Sequence, residues 1–394
     1  MNCCTFSYSG PAPELENRQL IGEPIGCFHA RALHAFHAGR TSNPPLWQVT
    51  LGERLLFNQS ALDWIEKCLA SYQGTAAELE LVLQLDAVSF RHFYSLQSQI
   101  SQEERKLTLP IQIRSQQSKR QGKEQLVVEL PISKHPIRFP KSLCEESEAT
   151  VPKVMLIAYE TDFDVLFANQ IGVLNFIEER VRKSPRAWLR ALFKRKPSEL
   201  TRRLALSFRE IHPTAEIHPT AVIEGSVIGP GVQIGAHCVV RFSAIGAETK
   251  LYDGAKVEFS VVGNRCWLMH DLVLYRSHVE NEVFLIHGPY QFSAFQNQSA
   301  AFATILMDYR ADRKPIRVIT PDGKKEYLGP FLGSVLKEHS RTLGGSLVAP
   351  GWIVPTGTWL TADSESVHRQ SSSNQLINAQ PHHAQGKALI ESET

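Results

Sequence analysis

Between positions 287 and 317 stand side chains of several chemistries, His287, Tyr290, Asp308, Arg310, Lys314 and Arg317. An imidazole titrates close to neutral pH, so a small change of surroundings decides whether it accepts a proton from an attacking group. Guanidinium and ammonium groups are the charged donors that phosphate oxygens require. Asp308 has the opposite character, because an ionised carboxylate offers no N–H and repels phosphate. A second cationic concentration lies at 180–203, where ten basic residues accompany one acid, Glu199, with Trp188, Leu189, Leu192 and Phe193 among them. Two readings fit it: an anion-binding or membrane-surface helix, or a linker helix whose apolar side caps the element that follows.

Other candidates carry less. His237, His270, His278 and His287 are separated by 33, 8 and 9 positions, with no short His-x-x-x-x-His element, so no metal site is expected. Asp86 follows a strand-like run, where a carboxylate is either a metal ligand or a helix cap, and the cap is the expectation. His212 and His218 stand in a repeated Ile-His-Pro-Thr-Ala and read as corner residues.

The elements that must position these groups announce themselves by spacing. From Ile211 to His278 an aliphatic residue recurs about every six positions, and the pentads at 225–229, 242–246 and 259–263 are copies 17 residues apart. That fits neither a 3.6-residue helix nor a two-residue strand alternation. It fits a parallel β-helix in which each coil has three short sides and one aliphatic residue per side points inward. Ser226, Ser243 and Ser260 are expected to stack on one another. Gly229, Gly235, Gly246 and Gly263 follow inward aliphatics where a Cβ is poorly tolerated.

Composition narrows the partners. The 394-residue chain suffices for two cores, and 42 Lys plus Arg against 40 Asp plus Glu give no global charge for nucleic acid. Seven scattered cysteines without a CxxC pair suit a reducing compartment, and no secretory signal is visible, so a cytoplasmic location is expected. The uncharged run 283–307 is broken by Gly288, Pro289 and several amides, which argues against a membrane span.

Residues 1–205 read as an α/β domain. Helices are expected at 61–72, 89–100 and 162–181, and strands at 79–85, 107–114, 125–130 and 154–159, with 115–124 joining two of them. The β-helix occupies 206–363, its regular coils stopping near 280. An elaborated region over 286–330 carries a hairpin from 316–320 into 325–328, and residues 364–394 read as a flexible tail.

The β-helix resembles the left-handed one of the sugar-1-phosphate nucleotidyltransferases, especially bifunctional glucosamine-1-phosphate acetyltransferase / N-acetylglucosamine-1-phosphate uridylyltransferases. His287-Gly-Pro-Tyr290 looks like their His-x-x-Tyr. Asp308-Tyr-Arg310 with Lys314-Pro-Ile-Arg317 looks like their Asn-Leu-Arg and basic strand, and Leu332-Gly-Ser-Val and Ala349-Pro-Gly resemble their later coils. The resemblance implies a homotrimer using acetyl-CoA or another acyl-CoA, with His287 as general base and Tyr290 positioning a sugar phosphate. Lys314 and Arg317, with Arg310, would hold phosphates, and Asp308 would stand where the family has asparagine. It also implies that residues 1–205 are a diverged nucleotidyltransferase-like domain. The family's Gly-x-Gly-Thr-Arg loop has no match, since Ala38-Gly-Arg-Thr-Ser-Asn43 lacks the repeated glycine. Nucleotidyl transfer, and the Mg2+ it would need, is therefore expected only if that domain is active. The expectation is acyl transfer to a sugar phosphate or nucleotide sugar. The alternatives are a non-catalytic trimeric scaffold or sugar-nucleotide-binding regulator, and a sugar-1-phosphate nucleotidyltransferase.

Overall fold

A computed structural model describes residues 4–38, 46–116, 122–132, 137–138, 148–149, 151–193, 206–320 and 323–361. The expected tail at 364–394 and the part of the 180–203 segment beyond Phe193 lie outside the described residues.

From Arg209 the chain climbs as a parallel β-helix of three sides. The first side has eight strands, from Arg209–Ile211 to Ile353–Val354, and the second has eight, from Glu216–Ile217 to Trp359–Leu360. The third has five, from Val222–Glu224 to Tyr290–Gln291, and resumes where Ile305–Leu306 pairs with Leu347–Val348. Inward positions form columns, of which Ile228, Ile245, Val262, Val279 and Phe295 make one and Ile223, Val240, Val257 and Leu274 another. Each buried aliphatic contributes about 1.5–3 kcal/mol, which a side of two or three ordered residues needs.

The stack is locked by small polar residues, as the spacing implied. Ser226 Oγ accepts from Ser243 N at 3.2 Å, Ser243 Oγ from Ser260 N at 3.1 Å, and Ser260 Oγ from Ser277 N at 3.1 Å, each 17 residues on. A Cβ on Gly246 would lie 2.5 Å from the carbonyl carbon of Gly263 in the next coil, so that corner admits only glycine.

The regular coils do not stop near 280. Strands continue at Phe284–Ile286, Tyr290–Gln291, Ala294–Phe295, Ala300–Phe302 and Ile305–Leu306. The repeat shortens there, because Ser293 N bonds Ser277 Oγ 16 residues back instead of 17. One lost residue shifts every later aliphatic position, which hides the period from a count by seventeen.

The N-terminal layer is a mixed sheet. β1 (Cys4–Tyr8), β2 (Trp47–Leu51), β3 (Glu78–Gln84), β4 (Lys106–Ser115) and β5 (Lys123–Glu129) lie in the order β1-β2-β4-β3-β5. Helices α1 (Ile25–His37), α2 (Gln59–Ser71) and α3 (Asp162–Lys183) pack with it, and a nine-residue α4 (Pro185–Phe193) follows. β4 and β5 are consecutive but not paired; both flank β3. The expected helix at 89–100 is only Ala87–Ser89 followed by a π-helical turn, Phe90–Tyr94.

The two parts share one core. Val261, Ala294 and Val335, outward on the first side of the β-helix, pack in the same apolar cluster as Phe163 and Phe167 of α3. The hairpin Ile316–Thr320/Gly323–Tyr327 joins them. Ile316, Val318 and Tyr327 are buried in that cluster, Tyr327 stacks on Phe167 with centroids 5.8 Å apart, and its hydroxyl donates to His92 O at 3.2 Å. Lys325 Nζ reaches Leu96 O and Glu160 Oε2, both at 2.8 Å. The insertion is thus a clamp holding the α/β layer on one face of the prism.

Candidate functional site

His287 occupies the corner between the second and third sides, just after Phe284–Ile286, with φ of +64°. That conformation points its ring out of the coil; the side chain is exposed and has no hydrogen-bond or ion partner among the described residues. The strand before it displays Phe284 outward in an aromatic ladder. Ring centroids are 6.3 Å apart for Tyr252 and Trp267, 6.1 Å for Trp267 and Phe284, and 5.5 Å for Phe284 and Phe302. Lys250 Nζ lies 5.3 Å from the Trp267 ring centroid, and Trp267 keeps 43 % of its surface exposed. An apolar ladder on a prism face is surface that a second molecule could cover.

Tyr290 does not line an open pocket. It is 0 % exposed and fills the inward column of the third side, continuing Leu274, with Leu306 above it. Its ring meets Phe295 at 5.4 Å, and its hydroxyl donates to Ile286 O at 2.8 Å. Burial raises its phenol well above the ordinary tyrosine range. Two large rings fit because the neighbouring inward position is Ala301.

The other four residues fall on later segments of the fold. Asp308 follows Leu306 at the far end of the third side, a span of roughly 10–15 Å for four or five extended residues. It is half-buried, which raises its carboxyl pKa. Arg310 is paired with Asp312, Nε to Oδ1 at 2.9 Å. Lys314 is exposed at the root of the hairpin, and Arg317 is exposed between the buried Ile316 and Val318. Alternation along a strand puts Arg317 on the outer face and its neighbours on the α/β layer.

Sequence reading missed an ionic cluster where that layer meets the β-helix. Arg18 NH1 lies 2.5 Å from Asp162 Oδ1 and its Nε 2.5 Å from Glu280 Oε1, all three buried. Gln296 Nε2 donates to Asp162 Oδ1 at 2.7 Å, and Asn297 N to Glu280 Oε2 at 3.1 Å. His278, fully buried, has Nε2 3.7 Å from Glu280 Oε1, and burial lowers its pKa, which keeps the ring neutral. Its place is structural, outward on the first side against α3.

The α/β layer has its own answers. Asp86 is a cap, its Oδ1 accepting from Val88 N and Ser89 N at 3.1 Å each. Most of the 38–43 segment lies outside the described residues. Of the apolar residues on α4, Ala187 is buried with Val181 and Phe208, whereas Trp188 and Leu189 are 45 % and 58 % exposed. Among the described residues no three His, Cys, Asp or Glu side chains converge as a metal site, and no helix is long and apolar enough to cross a membrane.

No protein-family profile matches the chain, and no curated protein matches it. Among solved structures it is similar to a hexapeptide transferase family protein from Anaplasma phagocytophilum (20 % identity over 39 % of this chain and 73 % of that one, TM-score 0.25). It is also similar to a putative acetyltransferase from Bacillus cereus (17 % identity over 39 % and 72 %, TM-score 0.21). A third is a mutant GDP-perosamine N-acetyl transferase from Caulobacter crescentus, in complex with CoA and GDP-perosamine (12 % identity over 48 % and 73 %, TM-score 0.16).

Proposed function

We propose that the chain is an acyl-CoA-dependent acyltransferase acting on an amino or hydroxyl group of a sugar phosphate or nucleotide sugar, and that it works as a homotrimer. The observation that carries this is the position of His287, an exposed imidazole without a partner among the described residues, at a coil corner beside a part-exposed aromatic ladder. A second copy seated on that ladder would bring its own surface against the imidazole and form a cleft between subunits. There the ring nitrogen takes the proton as the amine or hydroxyl attacks the thioester carbonyl. The C–S bond then breaks, and the coenzyme A thiolate leaves and is protonated. Arg310, Lys314 and Arg317 belong to the segment leading into the hairpin that docks on the α/β layer, whereas His287 lies at the corner between the second and third sides. In this reading they hold phosphates at a neighbouring copy's corner.

Release of free thiol from a panel of acyl-CoAs, with amino-sugar phosphates as acceptors, tests the proposal. Wild type should release thiol and His287→Ala should not, with unchanged oligomeric state. Equal release by both would remove the assigned base. The second reading, a non-catalytic scaffold or sugar-nucleotide-binding regulator, is favoured by the sealed Tyr290 and by the docked hairpin. It predicts no thiol release by wild type and retained binding of a nucleotide sugar.

A further inference from the structure

A cleft of about 700 Å3 opens where α1, the start of α2, the end of α3 and the first coil converge, on a part of the molecule separate from His287. Its floor is apolar, with Phe28, Ala32, Phe176 and Phe208. Its rim carries five cations, Arg31, Arg180, Lys183, Arg186 and Arg209, against two carboxylates, Glu179 and Glu210. Three of the cations are already held, Arg31 by Glu23, Arg180 by Glu210 and Lys183 by Glu179. Arg186 and Arg209 are exposed and have no carboxylate partner among the described residues. The N-terminal residues Asn58, Gln59 and Ser60 of the α2 region line the same cleft, and the first turn of α2 contains no acid. The positive end of the helix dipole therefore adds to the rim's field.

Two uncommitted guanidiniums above an apolar floor match one ligand chemistry. We propose that this cleft binds an organic phosphate, its phosphate held by Arg186 and Arg209 and its apolar body lying on Phe28 and Phe176. The volume is that of a small-molecule site, and such sites form preferentially where domains meet. Arg180 lies over the Phe176 ring, 4.4 Å from its centroid, and the ring is only partly buried. The phosphate has two possible sources, a soluble nucleotide or the headgroup of a lipid. Exposed Trp188 and Leu189, next to Arg186 on α4, would enter a lipid surface in the second case. The site is independent of acyl transfer at His287.

Binding of three probes to the full chain tests the proposal: ADP, vesicles of phosphatidylcholine with and without phosphatidic acid, and inorganic phosphate. ADP or the phosphatidic acid vesicles should bind, and the arm that binds identifies the source. The double substitution Arg186→Glu and Arg209→Glu should weaken that binding about tenfold or more, since charge-assisted contacts are lost. Arg186→Gln with Arg209→Gln should weaken it less, and Lys256→Glu, on the outer third side, should leave it unchanged. Neither arginine has an ion-pair partner to lose among the described residues, so melting temperature should hold. Absence of binding in both arms overturns the proposal, as does equal binding by the charge-reversed chain. Inorganic phosphate binding as tightly as ADP or the vesicles would overturn the role of the apolar floor. Thiol release is not read in this experiment, so either proposal can fail alone.

Discussion

Arg18 and Glu280 are 262 residues apart in the chain, yet Nε of one lies 2.5 Å from Oε1 of the other inside the molecule. The same guanidinium reaches Asp162 at the start of α3. One side chain thus joins the N-terminal layer, its long helix and a β-helix corner.

Removing that cation leaves two buried carboxylates facing each other. Arg18→Met should therefore cost about 3–5 kcal/mol, the usual penalty for orphaning a buried charge. Urea denaturation reads it directly. A loss under 1 kcal/mol would mean that water or a shifted Lys337 replaces the guanidinium.

The cluster also sets an acid limit. Burial raises the pKa of Glu280 and of Asp162, but Arg18 by charge and hydrogen bond, together with His278 beside Glu280 and with Lys337 and Gln296 beside Asp162, outweighs it and leaves both below the ordinary carboxylate range. A carboxyl depressed by folding binds protons more readily unfolded, so its stabilisation is complete above about pH 4 and disappears as pH falls through the folded values. In Arg18→Met the largest opposing charge is gone, and although Lys337, Gln296 and His278 remain, both carboxyls titrate higher than in wild type, so the wild-type advantage shrinks as pH falls through the variant's values. Denaturation curves of the two proteins should converge as pH drops from 7 to 4. Parallel curves would show that these carboxyls are not the coupled groups.

Tyr290 separates a core role from a substrate role. Tyr290→Phe loses one hydrogen bond to Ile286 O and should cost about 1 kcal/mol, with no change in substrate KM. Tyr290→Ala opens a cavity beside Phe295 and should cost about 3–5 kcal/mol. A raised KM in a fully folded Tyr290→Phe protein would return the phenol to the substrate.

The outward ladder bears on assembly. Trp267→Glu combined with Phe284→Glu places charge where the aromatic rings are exposed, leaving the inward Leu268 and Leu285 untouched. Light scattering after gel filtration should show a trimer for wild type and a monomer for the double variant, with similar circular dichroism. A wild-type monomer, or a variant that stays trimeric, would exclude this face as the subunit contact.

Much of the architecture was legible before any coordinates. The serine and glycine positions at intervals of 17 announced the stacked coils, and α2, α3, β3 and β4 fall close to where periodicity placed them. The early end assigned to the coils and the role assigned to Tyr290 share a cause. Between Leu274 and Leu306 the step is 16, so Tyr290 fell off the pattern and read as a binding residue when it is the next inward side chain. Resemblance to a motif could not distinguish a phenol turned inward from one turned outward.

Local pattern by itself determined the prism, because each inward aliphatic and each corner glycine answers to neighbours one coil away, at a fixed distance along the chain. Only the tertiary structure decided what covers its sides. Arg18 meeting Glu280, Tyr327 stacking on Phe167, and the basic hairpin lying on the α/β layer all join residues without regular spacing. Such pairings depend on where two surfaces dock, and docking depends on shape and buried charge distributed over many segments, which no single stretch of sequence displays.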